Sequence, residues 1–370
     1  MSPKERGWLA RARELAMVGR GRVSPNPLVG ALVVQGGEVV GEGGHEGPGK
    51  DHAEVVALQA AGAKARGATV VCTLEPCSHH GRTPPCVDAL RDAGVARVVL
   101  GSLDPQERGR GQGVRLLVEA GIEVAIADGP DEYACRDMNG PFMTWSVTGR
   151  PEVTLKMAQS LDGRVATSAG ESQWITGEDS RAVVHRWRAD SDAVAVGVGT
   201  AIADDPQLTA RGIDERFRAP IRVVFDSEAR TPVEGTLASA GEGVIVVASD
   251  RAPADRVAAL EATGVEVIAF GGDRRERLNH AVDELGRREV QSILIEGGPT
   301  LAAGVLAAGA VDRVAWMVAP ILIGGDGAPA LDGPGHAKLA DAWRLGSLQT
   351  TRLGDDALIV GRLRELPGGP

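Results

Sequence analysis

A chain of 370 residues, 43% hydrophobic and 24% charged, has room for two domains with separate cores, and no apolar run reaches the ~18–20 uncharged residues of a membrane span. A formal net charge of −10 and 3% aromatic content argue against a nucleic-acid partner, which calls for a basic, stacking-competent face. The opening stretch "MSPKERGWLARARELAMVGRGR" scatters arginines through its apolar positions and has no small-residue cleavage site, so it reads as an amphipathic helix and not a signal peptide. The expected compartment is the cytoplasm, where four cysteines do not make a disulfide framework.

In chain order, Trp8 to Val18 has helical spacing, "LVGALVVQ" and "EVVGEG" read as strands around a Gly36–Gly37 hairpin turn, and "HAEVVALQAAG" is a helix stopping at Gly62. "ATVVCTLE", "ARVVLG" and "IEVAIA" are strand-length apolar runs, separated by the helices "CVDALRDAG" and "GVRLLVEAG". After helix-like "DEYACRDMNGPFMTW", a break at "VTGRP" divides the chain into expected domains 1–147 and 148–370. The second series offers eight strands: "EVTLKMA", "DAVAVGVG", "PIRVVFD", "GVIVVAS", "VEVIAF", "QSILIEGG", "DRVAWMVA" and "DALIVGRL". Its helices are "SRAVVHRWRA", "ADRVAALEATG" and "GPTLAAGVLAAG". Strands alternating with helices make both halves α/β, each a sheet with crossover helices.

The stretch "LEPCSHHGRTPPC" puts Cys77 and Cys86 in one loop, and "HAE" upstream adds His52 and Glu54. One imidazole and two thiolates leave the fourth position of a tetrahedral zinc ion for water, the arrangement of a catalytic site. Glu54, two residues beyond the histidine at a helix start, can face that water without ligating the metal. There it can take the water's proton and pass it to a leaving amine. This H-x-E…P-C…C order is a signature of zinc deaminases of bases, whose second half usually reads C-x-x-C. His79 and His80 are alternative ligands, with a solvated loop as the simpler account. Cys72 and Cys135 read as buried fillers.

The eight-residue insert "SHHGRTPP", with "VSPNPLVGALVV" and "GEGGHEGPGKDHAE" upstream, resembles the deaminase half of the bifunctional riboflavin-biosynthesis deaminase/reductases, the RibD family. The resemblance continues through "LKMAQSLDGRVAT", "GESQWITG", "ADDPQLTAR", "VFDSEART" and "IEGGPTLAAG", covering nearly the whole chain. It implies a cytidine-deaminase-like α/β/α domain followed by a dihydrofolate-reductase-like α/β domain. The implied reactions are deamination of 2,5-diamino-6-(5-phosphoribosylamino)pyrimidin-4(3H)-one, then NADPH-dependent reduction of its ribosyl chain to 5-amino-6-(5-phosphoribitylamino)uracil. The resemblance gives His52, Cys77 and Cys86 to zinc and Glu54 to catalysis. Asn26 and His45 become candidates for holding the base, with a turn residue and a solvated loop histidine as local alternatives. One departure stands out: "DPQERGRG" replaces the family's D-P-N-P, which puts the contribution of loop 104–109 in doubt.

In the second half, "EGGPTLAAG" follows a strand and opens a helix, a place where backbone N–H groups suit a diphosphate, although such a turn is often only a turn. No G-x-G-x-x-G follows a strand, which argues against a Rossmann site. The resemblance makes Gly297, Gly298 and Thr300 contacts for NADPH, together with Ala158, Trp174, Thr200, Asp204 and Ser227; Trp174 could instead be a core aromatic. For the phosphorylated substrate it implies Ser172, Arg188, Leu208 and Arg211, with Lys156 and Glu296 near the hydride path. Lys156 could equally be a snorkelling strand-end lysine. A homo-oligomer, dimer or tetramer, is expected. The competing reading is a tRNA-type base deaminase with a non-redox C-terminal binding module; acidity, the low aromatic content and the intact "SLDG" and "EGGPT" stretches count against it.

Overall fold

The computed structural model of this chain describes residues 1–79, 84–107, 109–213 and 217–368. They form two compact units, Met1–Gly149 with the C-terminal residues from Leu366, and Arg150–Glu365. The tail is held in the first unit by Arg136, whose Nη2 donates to the carbonyls of Leu366 at 2.9 Å and Pro367 at 3.1 Å. Among the described residues no helix is long and apolar enough to cross a membrane.

The first unit runs α1 (Pro3–Ala16), β1 (Gly30–Gln35), β2 (Glu38–Gly44), α2 (Ala53–Ala61), β3 (Thr69–Cys72), α3 (Cys86–Asp92), β4 (Arg97–Leu100), α4 (Gln112–Glu119), β5 (Glu123–Ile126), α5 (Gly129–Met138) and α6 (Gly140–Thr148). The sheet order is β2-β1-β3-β4-β5, with β1 antiparallel to both neighbours and β3, β4 and β5 parallel. Strands β3 and β4 are almost wholly apolar because helices cover both faces of a parallel sheet. Gly41 and Gly43 let α2 lie directly on β2: a Cβ there would stand 2.2 and 2.3 Å from the carbonyl oxygens of Ala57 and Ala53. That close approach sets the depth of the helix that begins just after His52. One expected helix after β5 is two, since the Asn139-Gly140-Pro141 sequence interrupts it.

The second unit continues β6 (Glu152–Ser160), β7 (Arg164–Ala166), α7 (Glu178–Asp190), β8 (Ala193–Gly197), α8 (Val198–Asp204), β9 (Ile221–Phe225), α9 (Thr236–Ala240), β10 (Val244–Ser249), α10 (Ala254–Glu261), β11 (Glu266–Phe270), α11 (Arg274–Arg287), β12 (Ser292–Glu296), α12 (Pro299–Ala307), β13 (Arg313–Ala319), β14 (Ala328–Pro329), β15 (Gly346–Leu353) and β16 (Asp356–Arg362). Nine strands share one sheet, in the order β11-β10-β9-β8-β12-β6-β13-β16-β15; β14 and β7 pair apart. The eight expected strands are all present in the nine. The ninth, β15, escaped the apolar criterion because it is an antiparallel edge strand exposed along almost its whole length. Helix α11 also went unread, although Asp273 and Glu276 form a capping box at its start and Leu278, Ala281, Val282 and Leu285 recur at helical spacing. Those residues pack with Val153, Leu155, Ile293 and Ile295 in the core beneath the parallel strands, where each fully buried aliphatic side chain contributes about 1.5–3 kcal/mol.

Candidate active sites and family

In the first unit, His52 is the residue before α2, Cys77 follows the end of β3, and Cys86 opens α3. These three form a metal-binding cluster among the described residues, with one ligand atom from each lying within 4.8 Å of the others. His52 Nδ1 lies 3.1 Å from Cys86 Sγ and 3.5 Å from Cys77 Sγ. Tetrahedral zinc, with bonds of about 2.0 Å to nitrogen and 2.3 Å to sulfur, needs a nitrogen–sulfur separation of roughly 3.6 Å. The donor set and its spacing therefore fit zinc. The backbone N–H of Cys86, free at a helix start, donates to Cys77 Sγ at 3.3 Å. His79 is exposed and outside the cluster; His80 lies outside the described residues.

Glu54 sits in the first turn of α2 and is only 3% exposed. Burial raises its pKa, the condition for a carboxyl that holds a proton between two transfers. His45 is 2% exposed, which replaces the solvated-loop alternative. Its Nδ1 lies 3.0 Å from the Asp51 carbonyl oxygen and so carries the proton; Nε2 is then the acceptor for Asn26 Nδ2, also at 3.0 Å. The His45 and His52 rings meet edge to face with centroids 5.4 Å apart. Asn26 and His45 thus form a hydrogen-bonded pair beside a zinc ligand.

Glu75, inside the quoted "LEPC", was not singled out from the sequence. Its buried carboxylate accepts backbone N–H groups from Asp104 at 3.0 Å, Gly111 at 2.9 Å and Val114 at 3.2 Å. It ties the divergent loop to the strand end that carries Cys77; Arg108 of that loop lies outside the described residues. A charged residue between an apolar strand and Pro76 was the signal available. Cys72 and Cys135 are fully buried, and burial raises both thiols, Cys135 to about 11.

In the second unit a cavity of about 740 Å³ opens at the carboxyl ends of the parallel strands, a volume ordinary for a ligand site. Ala158, Thr200, Asp204, Ser227, Gly297, Gly298 and Thr300 all line it, as do Lys156, Ser172 and Glu296. Gly298 has φ +81°, a left-handed conformation that leads the chain from β12 into α12 and aims the first N–H groups of that helix at the space. Four expected residues stand outside the wall. Trp174 is 67% exposed with the Arg181 guanidinium 4.7 Å over its ring, so it is not a core aromatic. Leu208 is 1% exposed with φ +53°, while Arg211 is exposed and donates its backbone N–H to His185 Nδ1 at 3.3 Å. The fourth, Arg188, is held by Glu296, with Nε–Oε1 2.5 Å and Nη2–Oε2 2.9 Å, and by the Thr209 carbonyl at 3.1 Å.

Lys156 pairs in register with Glu296 in the middle of β6 and is half-buried in the cavity wall. Burial lowers its pKa from the ordinary 10.5, Glu296 partly restores it, and Arg188 opposes. Between the folded value and 10.5 the unfolded chain binds more protons, so stability rises with pH across that interval. Lys156→Met is expected to flatten this rise in urea midpoints followed up to pH 10.5 against the parent chain. Identical profiles would show the amine to be hydrated.

Asp162 of "SLDG" fixes the turn between β6 and β7. It accepts from Ser160 Oγ at 2.5 Å and from the backbone N–H groups of Ile323 and Gly324 at 3.1 and 2.7 Å, which hold its pKa down at about 2.

Residues 4–102 match the cytidine and deoxycytidylate deaminase zinc-binding region, and residues 151–359 match the RibD C-terminal domain. The riboflavin biosynthesis protein RibD of Escherichia coli K12 is 42% identical over 366 residues, 95% of this chain and 97% of that one. A solved structure of Acinetobacter baumannii RibD superposes with a TM-score of 0.85 at 37% identity, covering 97% of this chain and 98% of that one. The Thermotoga maritima diaminohydroxyphosphoribosylaminopyrimidine deaminase/5-amino-6-(5-phosphoribosylamino)uracil reductase gives 0.82 at 33% identity, with the same coverage. The expected architecture holds: a cytidine-deaminase-like domain precedes a reductase domain of the dihydrofolate-reductase type, the first with a zinc site at His52, Cys77 and Cys86 and the second implying NAD(P)H. With both family models matched in order and a relative 42% identical over 95% of this chain, the chain belongs to the RibD family of bifunctional riboflavin-biosynthesis deaminase/reductases.

Proposed function

We propose that the unit Met1–Gly149 deaminates 2,5-diamino-6-(5-phosphoribosylamino)pyrimidin-4(3H)-one and that Arg150–Glu365 reduces the product's ribosyl chain with NADPH. The observation that carries this is the buried Glu54 carboxyl beside the His52–Cys77–Cys86 cluster. Zinc bound there supplies a Lewis acid that makes water a nucleophile near neutral pH. Glu54 takes the proton of the attacking water and delivers it to the departing 2-amino group, so ammonia leaves as oxygen enters. The Asn26–His45 pair holds the pyrimidine, its orientation fixed by the bond from His45 to the Asp51 carbonyl. In the second unit bound NADPH would supply a hydride to the sugar's C1′ as the C1′–O4′ bond opens, with a proton taken up at O4′. The amide groups at the start of α12 hold its diphosphate, and Lys156 polarises the sugar. Arg211 and Ser172 grip the 5′-phosphate, and Arg188 acts through Glu296.

The same reading puts the enzyme in the cytoplasm, where its thiol ligands stay reduced. It also makes the enzyme a homo-oligomer, which the exposed edge strand β15 supports; a monomer in light scattering would remove that part.

Mass spectrometry of the diaminopyrimidine phosphate after incubation with zinc-loaded protein tests both halves. A gain of about one mass unit without NADPH, then a further gain of about two with it, is expected. The first gain alone would leave the second unit without its assigned reaction; neither gain would overturn the whole reading.

A further inference from the structure

The cavity of the second unit has a second polar end, separate from the glycine turn before α12. There the chain leaves β9 at Asp226 and Ser227, and one face of α11 closes the wall with Arg274 and Arg277. The two arginines are one helical turn apart and therefore share a face. Arg277 Nη2 lies 3.3 Å from Ser227 Oγ, and its Nη1 is 2.5 Å from the Gly272 carbonyl. Arg274 Nη2 donates to the Thr300 carbonyl at 2.8 Å, which bridges this end to the start of α12.

The four acids of the adjoining segments, Asp226, Glu228, Asp273 and Glu276, are engaged elsewhere. Asp226 is buried and accepts from Thr231 N and Oγ at 2.6 and 2.9 Å. Glu228 pairs with Arg230 at 3.6 Å, and Asp273 and Glu276 satisfy one another in the capping box. Among the described residues neither Arg274 nor Arg277 has a carboxylate partner. Two unneutralised guanidiniums and a hydroxyl facing a cavity make a site for a phosphate monoester. Asp226, the acid that follows β9, is turned inward and leaves the two guanidiniums unneutralised.

We infer that Arg274, Arg277 and Ser227 hold the 2′-phosphate of the adenosine half of NADPH and set the preference over NADH. This rests on the reading that the cavity binds a nicotinamide dinucleotide with its diphosphate at the start of α12.

The test has two arms. In the unmodified, zinc-loaded enzyme, 2′,5′-ADP is expected to compete with NADPH at least about tenfold more tightly than 5′-AMP, the worth of a charge-assisted contact. In Arg277→Ala and in Arg274→Ala/Arg277→Ala, the ratio of kcat/KM for NADPH to that for NADH is expected to fall by about ten- to a hundredfold, with Arg277→Lys losing less. Equal competition by the two nucleotides, or an unchanged ratio in the double variant, overturns the inference while leaving the dinucleotide reading in place. Failure of both NADPH and NADH to bind the unmodified enzyme overturns both. The nucleotide competition needs no variant and decides the matter even where a substitution impairs folding.

Discussion

Glu54→Gln is expected to lower deaminase turnover by about 10²–10⁴-fold, the usual worth of a positioned general acid–base, while zinc content and reduction of already deaminated substrate stay at parental levels. Glutamine keeps the volume and one acceptor oxygen of the buried carboxyl, so the packing of α2 against Gly41 and Gly43 of β2 is undisturbed. What is lost is a group that can both accept and release a proton. The metal would be held by His52, Cys77 and Cys86, with Cys86 placed by the start of α3 and Cys77 by the loop after β3. Measuring zinc by atomic absorption beside ammonia release separates the two roles. A zinc-depleted variant would make Glu54 part of the metal site and not the proton carrier.

Glu296→Gln is expected to destabilise the unit Arg150–Glu365 by about 3–5 kcal/mol, the cost of leaving one member of a buried ion pair without its partner. The Arg188–Glu296 pair is bidentate, and both side chains are largely out of solvent. Lys156 sits across from Glu296 in the β6–β12 register, so the substitution leaves two cations facing each other and lowers the pKa of Lys156 further. Urea unfolding monitored by loss of reductase activity should show a reduced midpoint, while the zinc-bound unit keeps its own transition. A midpoint within the error of the parent would mean that water reaches the pair and screens it. The same pairing changes the meaning of Arg188. An arginine bonded at all three guanidinium nitrogens to Glu296 and Thr209 is committed within the protein in this structure.

Much of this molecule was legible from local sequence because its chemistry is carried by short motifs with fixed backbone consequences. A histidine at a helix start, a glutamate two residues later and a proline before a cysteine at a strand end specify where a thiolate, an imidazole and a carboxyl emerge, and the cluster forms as the spacing requires. The glycine pair after β12 likewise had to be a turn opening a helix. Apolar runs betrayed the parallel strands, since such strands are covered on both faces; β15 was silent because an exposed edge needs no apolar side chains. Partner choice belonged to the tertiary structure. Arg188 and Glu296 are 108 residues apart in the chain, Asn26 and His45 are 19 apart across a strand pair, and nothing local to either member names the other. Burial was equally hidden: sequence left a solvated loop open for His45 and a core position open for Trp174, whereas His45 is buried and Trp174 exposed. Local sequence sets backbone direction through sterics and hydrogen bonding within a few residues. Desolvation and charge pairing are decided by whatever distant segment packs alongside, and only the assembled sheets bring those segments together.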